Sequence, residues 1–313
     1  MVRKTLTILP WRILLRLEDA ERKIRLDPYV DVPIHQEVRE LLKQQDLSDT
    51  YHPRGAGLAT SELDEAEQTH REWVKDIVDL SDFKYCYFVN GATDAIHHWR
   101  MTDNREWQKL CYGEYNYPDS LGTDGTVTCD VPGQYMDADT HRSGIPGKID
   151  SDKPLYISIP SAADGNIFDP GKIDAPVILD CTYVGTTSIQ KIKVPRNTEQ
   201  TFFSFTKPFG LVGQRLGLVY TKEPHKSLHP LKQFENWNYS GVRTIQMLME
   251  KFAVDEMWNR FKDKQNSICR KYNFKPSDVF FLATTKDLYY KRRRRMKWND
   301  DARICITPLM EFV

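Results

Sequence analysis

Four short segments of this 313-residue chain carry polar residues that a fold by itself does not need. They are Gly91-Ala92-Thr93, Asp180 with Tyr183, Ser204 with Lys207, and the 213–217 stretch that holds Gly213, Arg215 and Gly217. Each is expected to follow a short apolar, β-prone run, at the end of a strand. Ligands of a parallel α/β sheet gather at the carboxyl ends of its strands, where loops converge. The four segments are therefore expected to line one crevice.

The residue types say what such a crevice would hold. A turn that opens a helix at 91–93 offers unpaired backbone N–H groups and a partial positive charge, which suits a phosphate. Ser204 adds a hydroxyl donor, and Arg215 adds a guanidinium fork to the same dianion. Asp180 ends the run VILD, and a buried acid needs a cationic partner such as a protonated ring nitrogen. Lys207 follows the run FFSF. A lysine near a second cation loses basicity and becomes a nucleophile toward aldehydes. A phosphate, a ring nitrogen kept protonated and an imine-forming lysine together describe pyridoxal 5'-phosphate.

Elements must position these residues. A strand is expected at 85–89, a tight turn at 90–93, and a helix opening at Asp94-Ala95-Ile96. Short buried strands follow at 155–159, 177–179, 201–205 and 216–220. Continuous apolar strands set among helical segments argue for an α/β fold with a mostly parallel sheet flanked by helices. Upstream, Ile34, Val38, Leu41 and Leu42 form a helical stripe, and Ser61 with Asp64 resembles a capping box for a helix running to about residue 80. Residues 112–153, rich in Gly, Asp, Pro and Tyr, read as long loops. Beyond 220 the chain turns to amphipathic helix (Ile245, Leu248, Met249, Phe252) and then to strand-like FFLAT and RICIT. The expected division is a large domain over 34–220 and a reduced α+β small domain built from 1–33 and 221–313.

Composition narrows the function classes. Lys+Arg 44 against Asp+Glu 44 gives a formal net charge of +0, which argues against a whole-protein polyanion binder. Hydrophobic residues at 40% and charged ones at 28% fit a globular chain. No apolar run approaches the roughly 18 residues needed to cross a bilayer, and Pro10, Arg12 and Arg16 interrupt the N-terminal apolar stretch, so no signal peptide is expected. The cysteines, six in all, are spaced too widely for CxxC chemistry and are expected to be reduced thiols in the cytoplasm. His97 and His98 are adjacent, so on a helix they cannot face one metal. GAGLAT at 55–60 lacks the third glycine of a dinucleotide fingerprint. KRRRRMK at 291–297 reads as an edge protected by charge rather than as a nucleic-acid patch.

With these residues in place, SFTKPFGLVGQRLG resembles the S-x-[ST]-K-x-x-G-x-x-G-x-R-x-G lysine motif of the class I/II, fold type I pyridoxal-phosphate aminotransferases. YFVNGATDAI is similar to that family's phosphate-cup segment, PVILDCTYVG to its D-x-x-Y segment, and ARICIT to the strand bearing its carboxylate-binding arginine. The resemblance implies the following roles. Lys207 forms the Schiff base and moves the α-proton, Asp180 keeps the pyridine nitrogen protonated, and Tyr183 donates to the phenolic oxygen. Gly91, Ala92, Thr93, Ser204 and Arg215 hold the phosphate. Tyr117, in YNYP, stacks on the ring, and Arg303 grips the substrate carboxylate. Tyr51, in YHPRGAGL, reaches the phosphate of a partner subunit in a homodimer. For Tyr117 the alternative is a loop aromatic packed on the core, and for Arg303 a structural salt bridge. The implied partners are an amino acid and a 2-oxo acid, with no nucleic acid and no membrane.

Two departures bear on the reaction. Where the family has N-P-x-N-P-x-G, this chain has SIPSAADG, with Ala162 at the place of the asparagine that assists the phenolic oxygen. Pro208 directly follows the lysine. The expected reaction is transamination. The alternatives are a lyase or decarboxylase on the same fold, or a non-catalytic relative.

Overall fold

Seven strands make the main sheet in the computed structural model, which describes residues 32–44, 58–110, 114–115, 117–121, 126–127, 149–290 and 301–310. They are β1 (Tyr85–Val89), β2 (Gln108–Lys109), β3 (Thr126–Val127), β4 (Leu155–Ser158), β5 (Val177–Asp180), β6 (Thr198–Ser204) and β7 (Gly217–Thr221), in the order β1-β7-β6-β5-β4-β2-β3. Neighbours from β3 to β6 run parallel, and β7 is antiparallel to both β6 and β1. Every residue of β4, β5 and β7 is buried, as a sheet covered on both faces requires. The mostly parallel α/β sheet expected from the apolar runs is present.

Two hydrophobic layers cover the sheet. On one face, helix α3 (Ala92–Thr102) packs Ala95, Ile96 and Trp99 against Tyr156, Ile178, Phe202 and Val219. The other face carries a larger core, in which Ile157, Leu179, Phe203 and Leu218 meet residues of the C-terminal third. That third holds α4 (Leu228–Gln233), α5 (Tyr239–Lys251) and α6 (Glu256–Tyr272), then a three-stranded antiparallel sheet of β8 (Lys275–Pro276), β9 (Leu282–Thr285) and β10 (Ala302–Cys305). Near the described start of the chain, α1 (Gln36–Gln44) is tied to α6 by Glu37 and Arg260, 3.0 Å apart.

Several boundaries differ from the sequence expectation. Helix α2 spans Leu58–Val74, so Ser61 lies inside it and not at its cap, and it ends six residues short of Leu80. The backbone leaves the helix because Val78 bridges to Ile192 beside the main sheet. Arg71 then donates to the carbonyls of Leu80 and Phe83 and holds the turn. Helix α3 begins at Ala92, two residues earlier than expected, with Gly91 as its N-cap. The basic run 291–297 and most of 112–153 lie outside the described residues. Among the described residues no helix is long and apolar enough to cross a membrane, and no group of three His, Cys, Asp or Glu could hold a metal ion.

One buried group makes stability depend on pH. His70 on α2 is fully buried, with Nδ1 2.9 Å from the Tyr220 hydroxyl and Phe203 and Phe205 packed around the ring. Burial, aided by the charge of Arg71, pushes its pKa down to about 3. The unfolded chain therefore takes up a proton below about pH 6.5 that the folded chain refuses, and stability is lost as pH falls. Between pH 6.5 and 5 this ring is expected to cost on the order of 2 kcal/mol. Urea midpoints at the two pH values check it: the difference should shrink in His70→Gln, and an unchanged difference would refute the assignment.

Candidate active site

The strand ends do converge, and β7 shows how. Because β7 runs against β6, its first residues lie at the same end of the sheet as the last residues of β1, β5 and β6. The 213–217 segment therefore reaches the crevice by preceding its strand, not by following one. Ser204, the last residue of β6, pairs in register with Gly217. A Cβ on Gly217 would fall 2.6 Å from the Phe203 carbonyl oxygen and 2.9 Å from the Gly91 Cα, so three strands close here only over glycine.

Gly91 itself has φ +80°, a conformation that side chains other than glycine rarely adopt. Built there, a Cβ would sit 3.4 Å from Nη2 of Arg215, so the guanidinium lies in van der Waals reach of residue 91. Arg215 also has positive φ, at 54°. Such strain costs of order 1 kcal/mol and gathers at functional sites. No side chain caps the amino end of α3 at Gly91, while Asn90 donates its backbone N–H and its Nδ2 to Asp94 Oδ2. Ser204 Oγ lies 2.7 Å from Thr206 Oγ1. Gly91, Arg215 and Gly217 thus lie together at a helix end, with a cation and, on the adjoining strand, the Ser204 hydroxyl.

Asp180 closes β5 and is buried. Its Oδ1 accepts the Thr182 N–H at 2.7 Å, and its Oδ2 accepts the Tyr156 hydroxyl at 2.6 Å. Burial pushes its carboxyl above the usual range, while the Thr182 and Tyr156 hydrogen bonds and the Lys207 charge pull it back. The lysine is therefore electrostatically within reach of the acid. Lys207 is half-buried in the turn after β6, where the Pro208 ring packs over Gly185. Tyr183 is buried and meets Phe281 edge-on at 5.8 Å between ring centroids.

Arg303 lies on β10 of the smaller sheet and is almost fully buried. Its Nη1 donates to the Ala162 carbonyl, which brings the smaller sheet onto the loop after β4. Tyr117 opens a 3₁₀ turn, Tyr117–Leu121, and stacks on Tyr115 at 6.3 Å. Both tyrosines pack against the layer under α3. Tyr51 lies outside the described residues.

Tyr156, Thr182, Ser158 and Glu114 belong to the same neighbourhood, and none of the four stood out in the sequence. Ser158 ends β4 and pairs in register with Asp180. Its Oγ donates to Glu114 at 2.6 Å and accepts the Ala162 N–H at 2.7 Å. A polar residue closing an apolar strand was the available signal for Ser158. Tyr156 carried none, because a tyrosine two residues before a strand end looks like core.

No family model matches the sequence, and no curated protein matches it either. Solved structures do. A probable N-succinyldiaminopimelate aminotransferase from Thermus thermophilus is 15% identical, over 96% of this chain and 96% of that one, with a TM-score of 0.61. A histidinol-phosphate aminotransferase from Sinorhizobium meliloti in complex with pyridoxal-5'-phosphate is 15% identical over 96% and 90%, with a TM-score of 0.60. An alanine aminotransferase from Pyrococcus furiosus is 14% identical over 94% and 91%, with a TM-score of 0.61. The chain has the fold of these aminotransferases, the fold type I architecture of pyridoxal-phosphate-dependent enzymes.

Proposed function

We propose that the chain is a pyridoxal 5'-phosphate-dependent aminotransferase that moves an amino group between an amino acid and a 2-oxo acid. One observation carries the reading: the Arg215 guanidinium packs against Gly91, whose positive φ opens the helix, beside a helix end that no side chain caps. Such a cradle suits a phosphate dianion, since the fork, the helix end and the Ser204 hydroxyl all offer donors. The buried carboxylate of Asp180 suits a ring nitrogen that must keep its proton. The residues present therefore fit the cofactor at both ends.

Gly91, Ala92, Thr93, Ser204 and Arg215 would hold the phosphate, Tyr183 would donate to the phenolic oxygen, and Tyr117 would stack on the ring. Bound there, the cofactor supplies an aldehyde for the amino group and a ring that delocalises the electrons left on the substrate carbon. Asp180 would keep a proton on the ring nitrogen, and the Tyr156 and Thr182 hydrogen bonds fix its carboxylate plane. Lys207 would be the base that moves the substrate α-proton, one group serving both the taking and the giving of that proton. Arg303 orients the amino acid through its carboxylate.

On the same reading, 34–220 is the cofactor-binding unit, and 1–33 with 221–313 is the smaller one. A second copy completes the site, with Tyr51 reaching its neighbour. The partners are small molecules rather than nucleic acid or membrane. Cys86, Cys181, Cys269 and Cys305 are buried free thiols, which suits the cytoplasm.

An absorbance spectrum with pyridoxal phosphate tests the assignment. Wild type should show a visible band that borohydride fixes to the protein, and Lys207→Ala should show none. Product analysis then separates the reactions: 2-oxo acid formation supports transamination, whereas ammonia or CO₂ release would point to a lyase or decarboxylase. A wild-type protein with no band and no cofactor affinity would be a non-catalytic relative.

A further inference from the structure

Three consecutive hydrogen bonds run from Glu114 to Arg303. The Ser158 hydroxyl donates to Glu114 Oε2 at 2.6 Å and accepts the Ala162 N–H at 2.7 Å. The Ala162 carbonyl then accepts from Nη1 of Arg303. All four residues are nine-tenths or more buried, with relative exposures of 0%, 2%, 5% and 2% in that order. They come from four separate segments: the stretch before Tyr115, the end of β4, the loop after it, and β10.

We propose that Ser158 and Glu114 are positioning residues that aim the Arg303 guanidinium, through the backbone of residue 162, at the substrate carboxylate. The inference rests on the reading of Arg303 as the carboxylate-binding residue. A guanidinium is planar, so an in-plane bond to a fixed acceptor restricts the plane in which it grips a carboxylate with two parallel bonds. The acceptor here is a loop carbonyl, and a loop carbonyl turns unless its residue is held from the other side. Ser158 supplies that hold from the last residue of a fully buried strand. Glu114 fixes the hydroxyl as donor toward itself, which leaves an oxygen lone pair for the Ala162 N–H. With water excluded and a charge at each end, the hydrogen bonds reinforce one another. The arrangement also accounts for an apolar residue at 162: its backbone carries both contacts, and no side chain is needed.

The test uses the cofactor-loaded full chain and 2-methylalanine, which has an amino acid carboxylate but no α-proton and so cannot pass through α-proton transfer. Its binding is read from the cofactor absorbance, beside cofactor affinity and the thermal midpoint. Ser158→Ala and Glu114→Leu are expected to weaken 2-methylalanine binding about tenfold, the scale of one buried positioning hydrogen bond. They should raise KM for an amino acid substrate in parallel while kcat changes less than about threefold. Cofactor affinity should stay at the wild-type value. Glu114→Gln keeps an acceptor for the Ser158 hydroxyl and should bind within about threefold of wild type. Two variants at separate positions keep the proposal open to refutation if one fails to fold.

Ser158→Ala and Glu114→Leu binding 2-methylalanine within twofold of wild type, while Arg303→Ala loses it, would overturn the relay and leave the role of Arg303 standing. Arg303→Ala binding normally would overturn the role of Arg303 and the relay with it. A fall in cofactor affinity equal to the fall in 2-methylalanine affinity would make Ser158 a fold-stabilising residue and also overturn the proposal.

Discussion

Asp180→Asn is expected to lower kcat by about a thousandfold or more while cofactor binding changes little. The reason is where the charge sits. Asp180 is buried with both oxygens engaged, Oδ1 by the Thr182 N–H and Oδ2 by the Tyr156 hydroxyl, so its position is fixed before any ligand arrives. A pre-aimed charge in a dry site acts on the transition state without reorganisation, which is why removing one is costly. Asparagine keeps the shape and cannot hold a proton on a ring nitrogen.

Tyr156→Phe should have a smaller effect of a different kind. The Tyr156 hydrogen bond favours the ionised carboxylate and pulls its pKa down against burial. Its loss raises that pKa, and since the ionised form is the working one in the proposed function, the acid limb of the kcat–pH profile should move to higher pH. Turnover at neutral pH should fall about tenfold, the usual scale for losing one hydrogen bond to a charged group. Rates of the two variants across pH 5 to 9 decide the matter. An Asp180→Asn protein within tenfold of wild type, or a Tyr156→Phe acid limb that moves down, would refute this account.

Gly91→Val should lower cofactor affinity by roughly a hundredfold, and Arg215→Leu by a similar factor. At Gly91 two effects act together. The φ of +80° is closed to a β-branched residue, and the new side chain would meet the Arg215 guanidinium, 3.4 Å from the position of its Cβ. At Arg215 the substitution removes a charge-assisted fork, and a hundredfold is about 2.7 kcal/mol, within the range for such contacts. Fluorescence titration of the apo-protein with pyridoxal phosphate measures both, and inorganic phosphate should compete in wild type. The two substitutions should also combine less than additively, because they disturb one cradle. Full additivity, or unchanged affinity in Arg215→Leu, would show that the phosphate lies elsewhere.

What could be read along the chain was whatever is written in one contiguous stretch. The run SFTKPFGLVGQRLG holds the lysine, the serine and the arginine within twelve residues, and their local turns need no distant partner to be recognised. The buried strands were equally plain, because a sheet covered on both faces demands unbroken apolar runs. β1 was found to the residue, and β4, β5 and β7 within one at each end. Gly91 also announced itself, since Asn-Gly after an apolar run marks a turn.

The tertiary structure alone decided which of these pieces face one another. Strand direction is one example: an apolar pentapeptide reads the same either way, and only the pairing of β7 with β1 and β6 turns Arg215 toward Gly91. The partners of the charged groups are another. Tyr156 reaches Asp180 from 24 residues away, and Arg303 reaches Ala162 from 141 away. Residue types hold no record of such meetings, because register and layer packing set them after the local elements have formed. The chemistry that the chain can carry was thus determined by its sequence. Which side chains aim and restrain that chemistry followed from how the strands pair and how the smaller sheet closes over the loop after β4.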